Sequence, residues 1–529
     1  MIPRPSFLTR AAAWPRLCAL VLGLFAATGF QPMGLWPLTL VAVAGLFALI
    51  AQARHWREAL VLGWLFGFAH FTLADTWIAT AFTYQANMPA ALGWAAVPLL
   101  SLYLAVYPAL ACGGARLIAG RRFGWPFAFA FAGCWIVAEW LRSWVFTGFA
   151  WDPLGVALLG SFSRPGLAML APWLGTYALS GLAVLLACAG ALLLAAKRMV
   201  PLGFGAALVV AAMVWPAGSG RTGTIRFTLV QPNIEQTRLN ETRYYEANFE
   251  QTAALTLPRD PRQRRLVLWP ESGVPDFLEE GYPQRYYYAA NVIPDPVLTR
   301  LRLARVIGPA SVLLTGSTDL AIGNDARIGP RAIGAYNSVT AIDGKGGIVG
   351  RYAKAHLVPY GEYLPMRWLL EPLGAARLVP GDIDFWPGPG PRTLDLGPLG
   401  KAGIQLCYEI TFSGQVVDRS HRPDYVFNPS NDGWFGAFGP PQHLAQARLR
   451  AIEEGLPVLR ATTTGISAVI DARGVVRQFA PQHVARRIDG TIPPALPPTL
   501  FARLGNILPL GWAAVLLAIA AIALRRTPH

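Results

Sequence analysis

The sequence predicts a membrane domain of about eight helices, with an α/β domain inserted before the last helix. Of the 529 residues, 53% are hydrophobic and 14% are charged, whereas an ordinary soluble domain has roughly 25% charged residues. Long apolar runs are confined to the two ends of the chain, and the segment between them has short strand-like and helix-like stretches. We therefore predict a membrane domain at 1–216, an outside domain at 217–503, and a last helix with a short tail at 504–529.

Eight apolar stretches have the length of membrane helices. A bilayer core about 30 Å thick needs about 20 mostly apolar residues per helix. The stretches that meet this requirement are 14–31, 34–52, 58–80, 90–115, 123–141, 172–195, 199–216 and 504–524. The first has the length of a signal peptide, but no clear cleavage site follows it, so we expect an uncleaved helix.

Arginine and lysine indicate which loops face the cytoplasm, because cytoplasmic loops of membrane proteins are enriched in them. They precede the first span and occupy alternate connections: Arg4, Arg10, Arg16, Arg54, Arg57, Arg116, Arg121, Arg122, Lys197, Arg198, Arg525 and Arg526. The connections after the first and third spans have neither residue, and the one after the fifth has Arg142 and Arg164. We therefore expect both termini in the cytoplasm and the outside domain on the opposite side.

The predicted topology accounts for much of the formal net charge of +15. Basic chains often bind nucleic acid, but many of these charges flank the predicted helices, so we expect no nucleic-acid partner. Other arginines lie in the outside domain. There Arg262, Arg264 and Arg265, or Arg448 and Arg450, either meet anionic lipid headgroups or belong to a solvated surface.

The outside domain has the pattern of an α/β domain. Its predicted strands lie at 224–231, 265–269, 311–317, 337–343, 402–407, 424–430 and 466–471, and its predicted helices at 241–256, 295–306 and 443–455. Several of these strands are apolar without alternation. This is typical of a sheet whose two faces are both covered.

Cys407 ends one of these strands, in GIQLCYEI at 403–410, and is the only cysteine of the outside domain. An extracytoplasmic cysteine with no partner in its own domain is either buried and inert or a working thiol. The polar residues Tyr408 and Glu409 follow it directly. The thiol is therefore expected where a parallel strand opens at its carboxyl end, which is where ligands bind in open α/β sheets.

A carboxylate and an ammonium follow two other predicted strands. Glu271 follows the strand in LVLWPES at 266–272, and Lys354 follows GGIVGRY at 346–352. A nucleophilic thiol needs a base or a positive neighbour, and its acyl intermediate needs a donor aimed at the oxyanion. A Glu or a Lys after a strand is most often solvated. The prediction of a Glu-Lys-Cys site therefore rests on the presence of all three residues at strand ends.

Three motifs occur in order: WPES at 269–272, YAKAHLVPYGEYLP at 352–365 and LCYE at 406–409. Together they resemble the nitrilase superfamily. With NDGWFG at 431–436 and the preceding spans, they resemble the apolipoprotein N-acyltransferase family within it. The sequence departs from the family's usual motifs at Tyr360, Gly433 and Ala150, where Phe, Ala and Pro are common, and none of these positions is catalytic.

The resemblance implies an α-β-β-α sandwich for the outside domain, with Glu271 as general base, Lys354 as oxyanion stabiliser and Cys407 as nucleophile. It also implies supporting roles close to the site for Glu362, Tyr408 and Glu409. The implied reaction moves an acyl chain from a phospholipid, typically phosphatidylethanolamine, to the α-amino group of the diacylglyceryl-cysteine of an apolipoprotein. It would occur at the periplasmic face of a bacterial inner membrane.

Two aromatic loops, 360–369 and 431–438, have the composition expected at a lipid interface. Trp434 and Phe435 in the second loop either form a lid over the acyl chain or serve only to pack the domain.

Three ionisable residues lie within or beside the predicted spans. Asp75, Glu139 and Arg142 are unfavourable in a bilayer and indicate function by default. Glu139 and Arg142 are three residues apart, and we expect them to pair on one helix face rather than to contact substrate.

No metal-ligand cluster, Ser-His-Asp spacing or phosphate-cradling glycine loop is visible in the sequence, so we expect no metal and no cofactor. Two other functions stay open. One is a membrane-tethered amidase of the nitrilase type, which would use water as acceptor. The other is a non-enzymatic lipid-binding protein, transporter or scaffold, in which Cys407 would be dispensable.

Overall fold

The computed structural model describes residues 14–84, 89–121, 123–325, 327, 329–373, 377–378 and 383–526. Of the basic residues that predict the topology, Arg4, Arg10 and Arg122 lie outside this described part.

All eight predicted membrane stretches are helical in the structure. Their helices are α1 Pro15–Ala27, α2 Trp36–Gln52, α3 Trp56–Ala74, α4 Ile78–Ala81, α5 Leu92–Leu104, α6 Val106–Ala119, α7 Trp125–Arg142, α8 Ala171–Ala195 and α9 Met199–Val214, with a last long helix, Ile507–Arg526. Two of the stretches are broken, since α4 follows α3 at a bend of 50° and α5 is followed directly by α6.

Three helical segments are long and apolar enough to cross a membrane: Leu92–Ala119, Leu167–Ala195 and Ile507–Arg525. The bent pair α3 and α4 makes a fourth if it is one span. The other helices fall short; α1, for example, has 13 residues and is only about 20 Å long. A count of eight spans therefore stays a prediction.

Close helix packing holds the membrane domain together. Phe47, Phe66, Phe127 and Phe131 are fully buried in its core. Gly63 on α3 allows α6 to approach, since a Cβ there would lie 2.7 Å from the sulfur of Cys112. Small residues serve this purpose widely between membrane helices.

The outside domain has two six-stranded sheets. The strands are β1 Arg226–Gln231, β2 Leu266–Leu268, β3 Val312–Asp325, β4 Gly329–Asp343, β5 Ile348–Ala353, β6 Thr393–Asp395, β7 Lys401–Ile404, β8 Tyr425–Ser430, β9 Val458–Thr462, β10 Ser467–Ile470, β11 Val476–Ala480 and β12 Arg486–Thr491. The first sheet has the order β12-β1-β2-β3-β4-β5 and the second β11-β10-β9-β8-β7-β6. Strands β1, β2 and β3 are parallel, and so are β7, β8 and β9.

Helices cover the outer face of each sheet. The helices of this domain are α10 Gln236–Leu239, α11 Tyr245–Thr256, α12 Gln284–Ala290, α13 Pro296–Ile307, α14 Arg367–Leu370, α15 Gly439–Glu454 and α16 Leu500–Leu504, and α17 is the last membrane helix, Ile507–Arg526. α11 and α13 pack on the first sheet and α15 on the second. The predicted α-β-β-α sandwich is therefore confirmed.

The strands lack an alternating polar pattern because both of their faces are buried. Leu266 and Leu268 on β2 point into the core between the sheets, whereas Val267 between them packs under the helices. Successive side chains of a strand point to opposite faces. Both faces are buried here, so every position is apolar.

Helix α15 joins the outside domain to the membrane domain. Arg448 is only 2% exposed and donates hydrogen bonds to the carbonyl oxygens of Gly160, Ser161 and Arg164 in the loop between α7 and α8. Arg450 is equally buried and binds the Thr176 hydroxyl of α8. The expectation that Arg448 and Arg450 meet lipid headgroups or solvent is therefore wrong, because their guanidinium groups are used inside the protein. Arg265 does not belong to a solvated surface either, since it is 3% exposed and donates to the Thr228 hydroxyl and to the carbonyl oxygens of Thr256 and Ile307.

The predicted pairing of Glu139 with Arg142 is also wrong. Arg142 ends α7 and donates instead to the carbonyl oxygens of Trp151 and Asp152. Glu139 accepts from the Trp135 indole and from a backbone N–H of the following loop. Neither side chain forms an ion pair within the described residues, because the loop after α7 folds back and supplies neutral partners.

Candidate active site

Glu271, Lys354 and Cys407 lie together at one edge of the sandwich. Glu271 follows the end of β2 by three residues, Lys354 follows β5 directly, and Cys407 follows β7 by three residues. Strands β2 and β5 run in the same direction, since β3 is parallel to β2 and both β3 and β5 are antiparallel to β4. Cys407 follows a strand of the second sheet and lies close enough to Glu271 and Lys354 for their charges to act on its pKa. Gly316 on β3 leaves room for the Glu271 loop, since a Cβ there would lie 2.7 Å from the Cα of Glu271.

Lys354 is held between two carboxylates. Its Nζ lies 2.9 Å from Oε2 and 3.0 Å from Oε1 of Glu362, and 3.7 Å from Oε1 of Glu271. The side chain is 1% exposed. Burial alone lowers the pKa of Lys354, but Glu362, Glu271 and Cys407 raise it above its ordinary value. The ammonium is therefore permanently charged and fixed in place.

Asn337 on β4 connects the two carboxylates, a role that no sequence pattern indicated. Its Nδ2 donates to Oε1 of Glu271 at 2.8 Å and to Oε1 of Glu362 at 2.6 Å. The backbone N–H of Asn431, directly after β8, donates to the other oxygen of Glu271 at 2.8 Å. Both oxygens of Glu271 are therefore oriented by donors from other strands.

Cys407 begins a short 3-10 helix and has a left-handed backbone, with φ of +51°. This conformation costs a non-glycine residue about 1–3 kcal/mol and persists only where neighbours enforce it. The thiol is 4% exposed. Burial and the charge of Glu271 raise the pKa of Cys407 well above its ordinary value, although Lys354 opposes them. Cys407 is therefore a neutral thiol near pH 7 and needs a proton acceptor to react.

A buried chain of polar groups holds the backbone of Cys407. Nε2 of His443 lies 3.0 Å from the carbonyl oxygen of Cys407, and its Nδ1 lies 2.9 Å from Nη2 of Arg460. Asp432 lies beside both and pairs with Arg460 at 2.7 Å. Burial and the charge of Arg460 lower the pKa of His443. The Cys407 carbonyl can only accept, so Nε2–H of His443 donates to it, while Nδ1 lies between Nη2 of Arg460 and Oδ1 of Asp432, which is 3.1 Å away.

Sequence reasoning missed His443 and Arg460. A lone histidine near the start of a helix carries no signal of its own, and Arg460 lies inside an apolar strand. The one available indication was Asp432, which belongs to the NDGWFG motif.

Glu409 and Tyr408 support the site in different ways. Glu409 is buried and accepts hydrogen bonds from the Tyr352 hydroxyl and from the backbone N–H groups of Ala355, His356 and Leu406. It therefore ties the Lys354 loop to the Cys407 loop. The Tyr408 hydroxyl donates to the carbonyl oxygen of Gly148 in the membrane domain, at 3.3 Å.

Trp434 and Phe435 both pack against the membrane domain. Phe435 is buried, with its ring centroid 4.7 Å from that of Trp77. Trp434 is half-buried and makes an edge-to-face contact with Tyr84 at 5.8 Å. The function of either residue as a lid stays a prediction.

The described residues contain no group of three or more His, Cys, Asp or Glu side chains that could hold a metal ion. The groups at the site are a thiol, a carboxylate that can take its proton, and a fixed ammonium. This set suits nucleophilic acyl transfer through a thioester.

Two family models match the chain. The model of the apolipoprotein N-acyltransferase N-terminal domain matches residues 22–189, and that of carbon-nitrogen hydrolases matches residues 228–494.

Similar proteins extend over nearly the whole chain. The apolipoprotein N-acyltransferase of Rhodopseudomonas palustris is 32% identical over 98% of this chain and 96% of its own. That of Allorhizobium ampelinum is 34% identical over 88% and 87%. Among solved structures, Saccharomyces cerevisiae Nit3, a member of branch 10 of the nitrilase superfamily, is 18% identical with a TM-score of 0.35, covering 52% of this chain and 93% of that one.

Proposed function

The chain belongs to the apolipoprotein N-acyltransferase family, and we propose that Glu271, Lys354 and Cys407 carry out its acyl transfer through a thioester. The enzyme transfers a fatty acyl chain from a phospholipid to the N-terminal amine of the diacylglyceryl-cysteine of apolipoproteins. The observation that best supports this assignment is a buried neutral thiol placed with one carboxylate and one fixed ammonium at a common sheet edge. Phosphatidylethanolamine is the proposed donor.

In the first half-reaction, Glu271 takes the proton of Cys407 as the sulfur attacks the ester carbonyl. The tetrahedral oxyanion forms beside Lys354, whose positive charge stabilises it by a few kcal/mol. The C–O bond then breaks, and Glu271 returns the proton to the leaving oxygen. The products are the Cys407 thioester and a lysophospholipid.

In the second half-reaction, the neutral α-amine of the apolipoprotein attacks the thioester. Glu271 accepts a proton from the amine, and Lys354 again stabilises the oxyanion. The C–S bond breaks and Cys407 recovers its proton. One carboxylate serves both halves. Ping-pong kinetics are expected because the lysophospholipid leaves when the thioester forms, before the amine reacts.

Both substrates are lipids, so the thiol must be reached from the bilayer. The contacts of Tyr408 with Gly148 and of Phe435 with Trp77 support a site close to the membrane domain. The exposed side chains of Met366, Trp368 and Leu369 support a route for acyl chains over α14.

We also propose that both termini are cytoplasmic and that the outside domain faces the periplasm of a bacterial inner membrane. Arginine and lysine in alternate loops support this orientation. A membrane-impermeant maleimide added to intact cells should label a cysteine introduced at Gly281 but not one at Arg57, and the reverse pattern would reject the orientation.

Intact-protein mass spectrometry tests the thioester. The purified enzyme is incubated with phosphatidylethanolamine, beside Cys407→Ala and the control Cys134→Ala, which removes a membrane-domain cysteine. We expect a fatty-acyl mass on the wild type and the control only, removed by hydroxylamine or by a lipopeptide amine.

Other outcomes favour the rival functions. Loss of the adduct to water as free fatty acid, without any effect of the amine, would indicate an amidase-type hydrolase. A folded protein without any adduct would reject the thioester and favour a binding protein.

A further inference from the structure

A basic cleft of about 620 Å³ lies at the edge of the sandwich where β11 and β12 run side by side. Its charged lining is Arg221, Arg226, Arg259, Arg265, Arg477, Arg487, Asp260 and Asp489. The cleft adjoins the amino-terminal end of β1, whereas the candidate active site lies at the carboxyl ends of the strands. It is therefore a separate feature, with six arginines and two aspartates.

One aspartate organises much of the cleft. Asp489 accepts from Nε of Arg487 at 2.8 Å and from the Thr228 hydroxyl at 2.7 Å, and Nη2 of Arg259 lies 3.3 Å away. The same Thr228 hydroxyl accepts from Nη1 of Arg265 at 2.6 Å. Arg259, Arg265 and Arg487 are thus held around one aspartate, which cannot neutralise all three, and Arg477 pairs separately with Asp471.

The positive charge of the cleft is only partly compensated. Arg265 is 3% exposed, and its Nε has no hydrogen-bond partner in the described part of the chain. Burial and then the positive charge of Arg487 lower the pKa of Arg265 to about 10. Arg221 and Arg226 are exposed and form no ion pair with any described residue.

Strand β11, which lines one side of the cleft, contacts the α9 linker and the membrane domain. Nη2 of Arg477 donates to the carbonyl oxygen of Gly218, which follows the end of α9 by four residues. The N–H of Val476 on β11 donates to the carbonyl oxygen of Phe162 in the loop between α7 and α8. Trp215, directly after α9, is 63% exposed, as is usual for tryptophan at a membrane interface.

We propose that this cleft binds the phosphate of an anionic phospholipid headgroup and thereby holds the edge of the outside domain at the membrane surface. Guanidinium groups bind phosphate oxygens through paired hydrogen bonds, and several of them converge here. The position of the cleft beside the α9 linker favours a lipid over a soluble anion. The site is independent of acyl transfer, since none of its residues lies at the thiol.

Native mass spectrometry of the purified full-length enzyme tests the proposal. The probe is a dialkyl-ether phosphatidylglycerol, which has no acyl ester to donate, and dialkyl-ether phosphatidylcholine is the neutral comparison. The variant Arg221→Gln/Arg226→Gln removes two exposed, unpaired charges and should leave the fold and acyl transfer unchanged. The matched control Arg305→Gln/Arg327→Gln removes two exposed arginines elsewhere on the outside domain.

We expect the cleft variant to bind phosphatidylglycerol about 20-fold more weakly, since each arginine facing an anionic lipid contributes substantially. The control variant and phosphatidylcholine binding should be unchanged. Equal phosphatidylglycerol binding by cleft variant and wild type would overturn the proposal, as would an equal loss in the control. Displacement of the lipid by millimolar inorganic phosphate would instead assign the cleft to a soluble anion.

Discussion

The thiol of Cys407 lies among charges that act on its pKa in opposite directions. Burial and Glu271 raise the pKa, while Lys354 lowers it, and the net shift is upwards. Glu271 therefore disfavours the free thiolate although it is the proton acceptor of the proposed reaction. A base that takes the proton only during attack is consistent with this arrangement.

The variant Glu271→Gln separates these two effects. Without the proton acceptor, acyl-enzyme formation should fall at least about 100-fold. Without the negative charge, the pKa of Cys407 falls, so alkylation by iodoacetamide between pH 7 and 9 should become faster. Both rates are measured by mass spectrometry, with Glu246→Gln, a distant surface carboxylate, as control. If alkylation slows together with acylation, Glu271 acts by ionising the thiol beforehand.

Helix α15 connects the nucleophile to the membrane domain. Its start carries His443 to the Cys407 carbonyl, and Arg448 and Glu453 bind the membrane domain. Trp151 of the membrane domain contacts the His443 ring, with the ring centroids 5.0 Å apart and the ring planes tilted by 47°. The backbone of the thiol is therefore fixed by a helix that touches both domains.

Replacement of His443 tests this positioning role. His443→Phe keeps the ring but leaves a buried carbonyl poorly satisfied, at a cost of about 1–3 kcal/mol. We expect thioester formation to be roughly 10- to 100-fold slower, while the final fraction of acylated protein stays that of the wild type. His443→Gln, whose amide can donate to the same carbonyl, should recover part of the rate. A reduced amplitude at an unchanged rate would mean that the histidine serves folding alone.

The motifs and much of the secondary structure of the outside domain could be predicted because they depend on nearby residues, but strands β6, β9, β11 and β12 lie outside the predicted stretches. The predicted helix at 295–306 corresponds to α13, and that at 443–455 largely to α15. By contrast, Asn337 is 66 residues from Glu271, and His443 is 36 residues from Cys407. Their roles arise only when the sheets pack together, so no local pattern indicates them.

The two wrong predictions concern residues whose partners also lie outside their own helix. Glu139 and Arg142 have the spacing of a helical pair, but the loop after α7 supplies competing carbonyl and N–H groups. Arg448 and Arg450 look like surface residues in a sequence with many arginines. Their burial depends on the membrane domain that packs against α15, which a sequence does not reveal.

The two domains share an interface of buried polar groups. Oε1 of Glu453 accepts from the N–H and the hydroxyl of Thr176 on α8, both at 2.5 Å. Gln442 bridges the Trp151 indole and the carbonyl oxygen of Ala74. Removing one side of such an interface leaves buried polar groups without partners, at about 1–3 kcal/mol each and more for charged groups. The outside domain therefore depends on the helices for more than attachment.

This dependence predicts that residues 217–503 expressed alone will not form the thioester. The isolated domain would expose Phe435 and leave Arg448 and Glu453 without their membrane-domain partners, so aggregation is expected in size-exclusion chromatography. A pair of co-expressed fragments serves as the control, because it shows whether the isolated domain fails for lack of the membrane domain. Co-expression of 1–216 with an exported 217–529 fragment should restore the hydroxylamine-labile adduct, because the interface is complete again. A soluble, monomeric 217–503 domain that forms the adduct as fast as the whole enzyme would contradict the prediction and favour a tethered amidase.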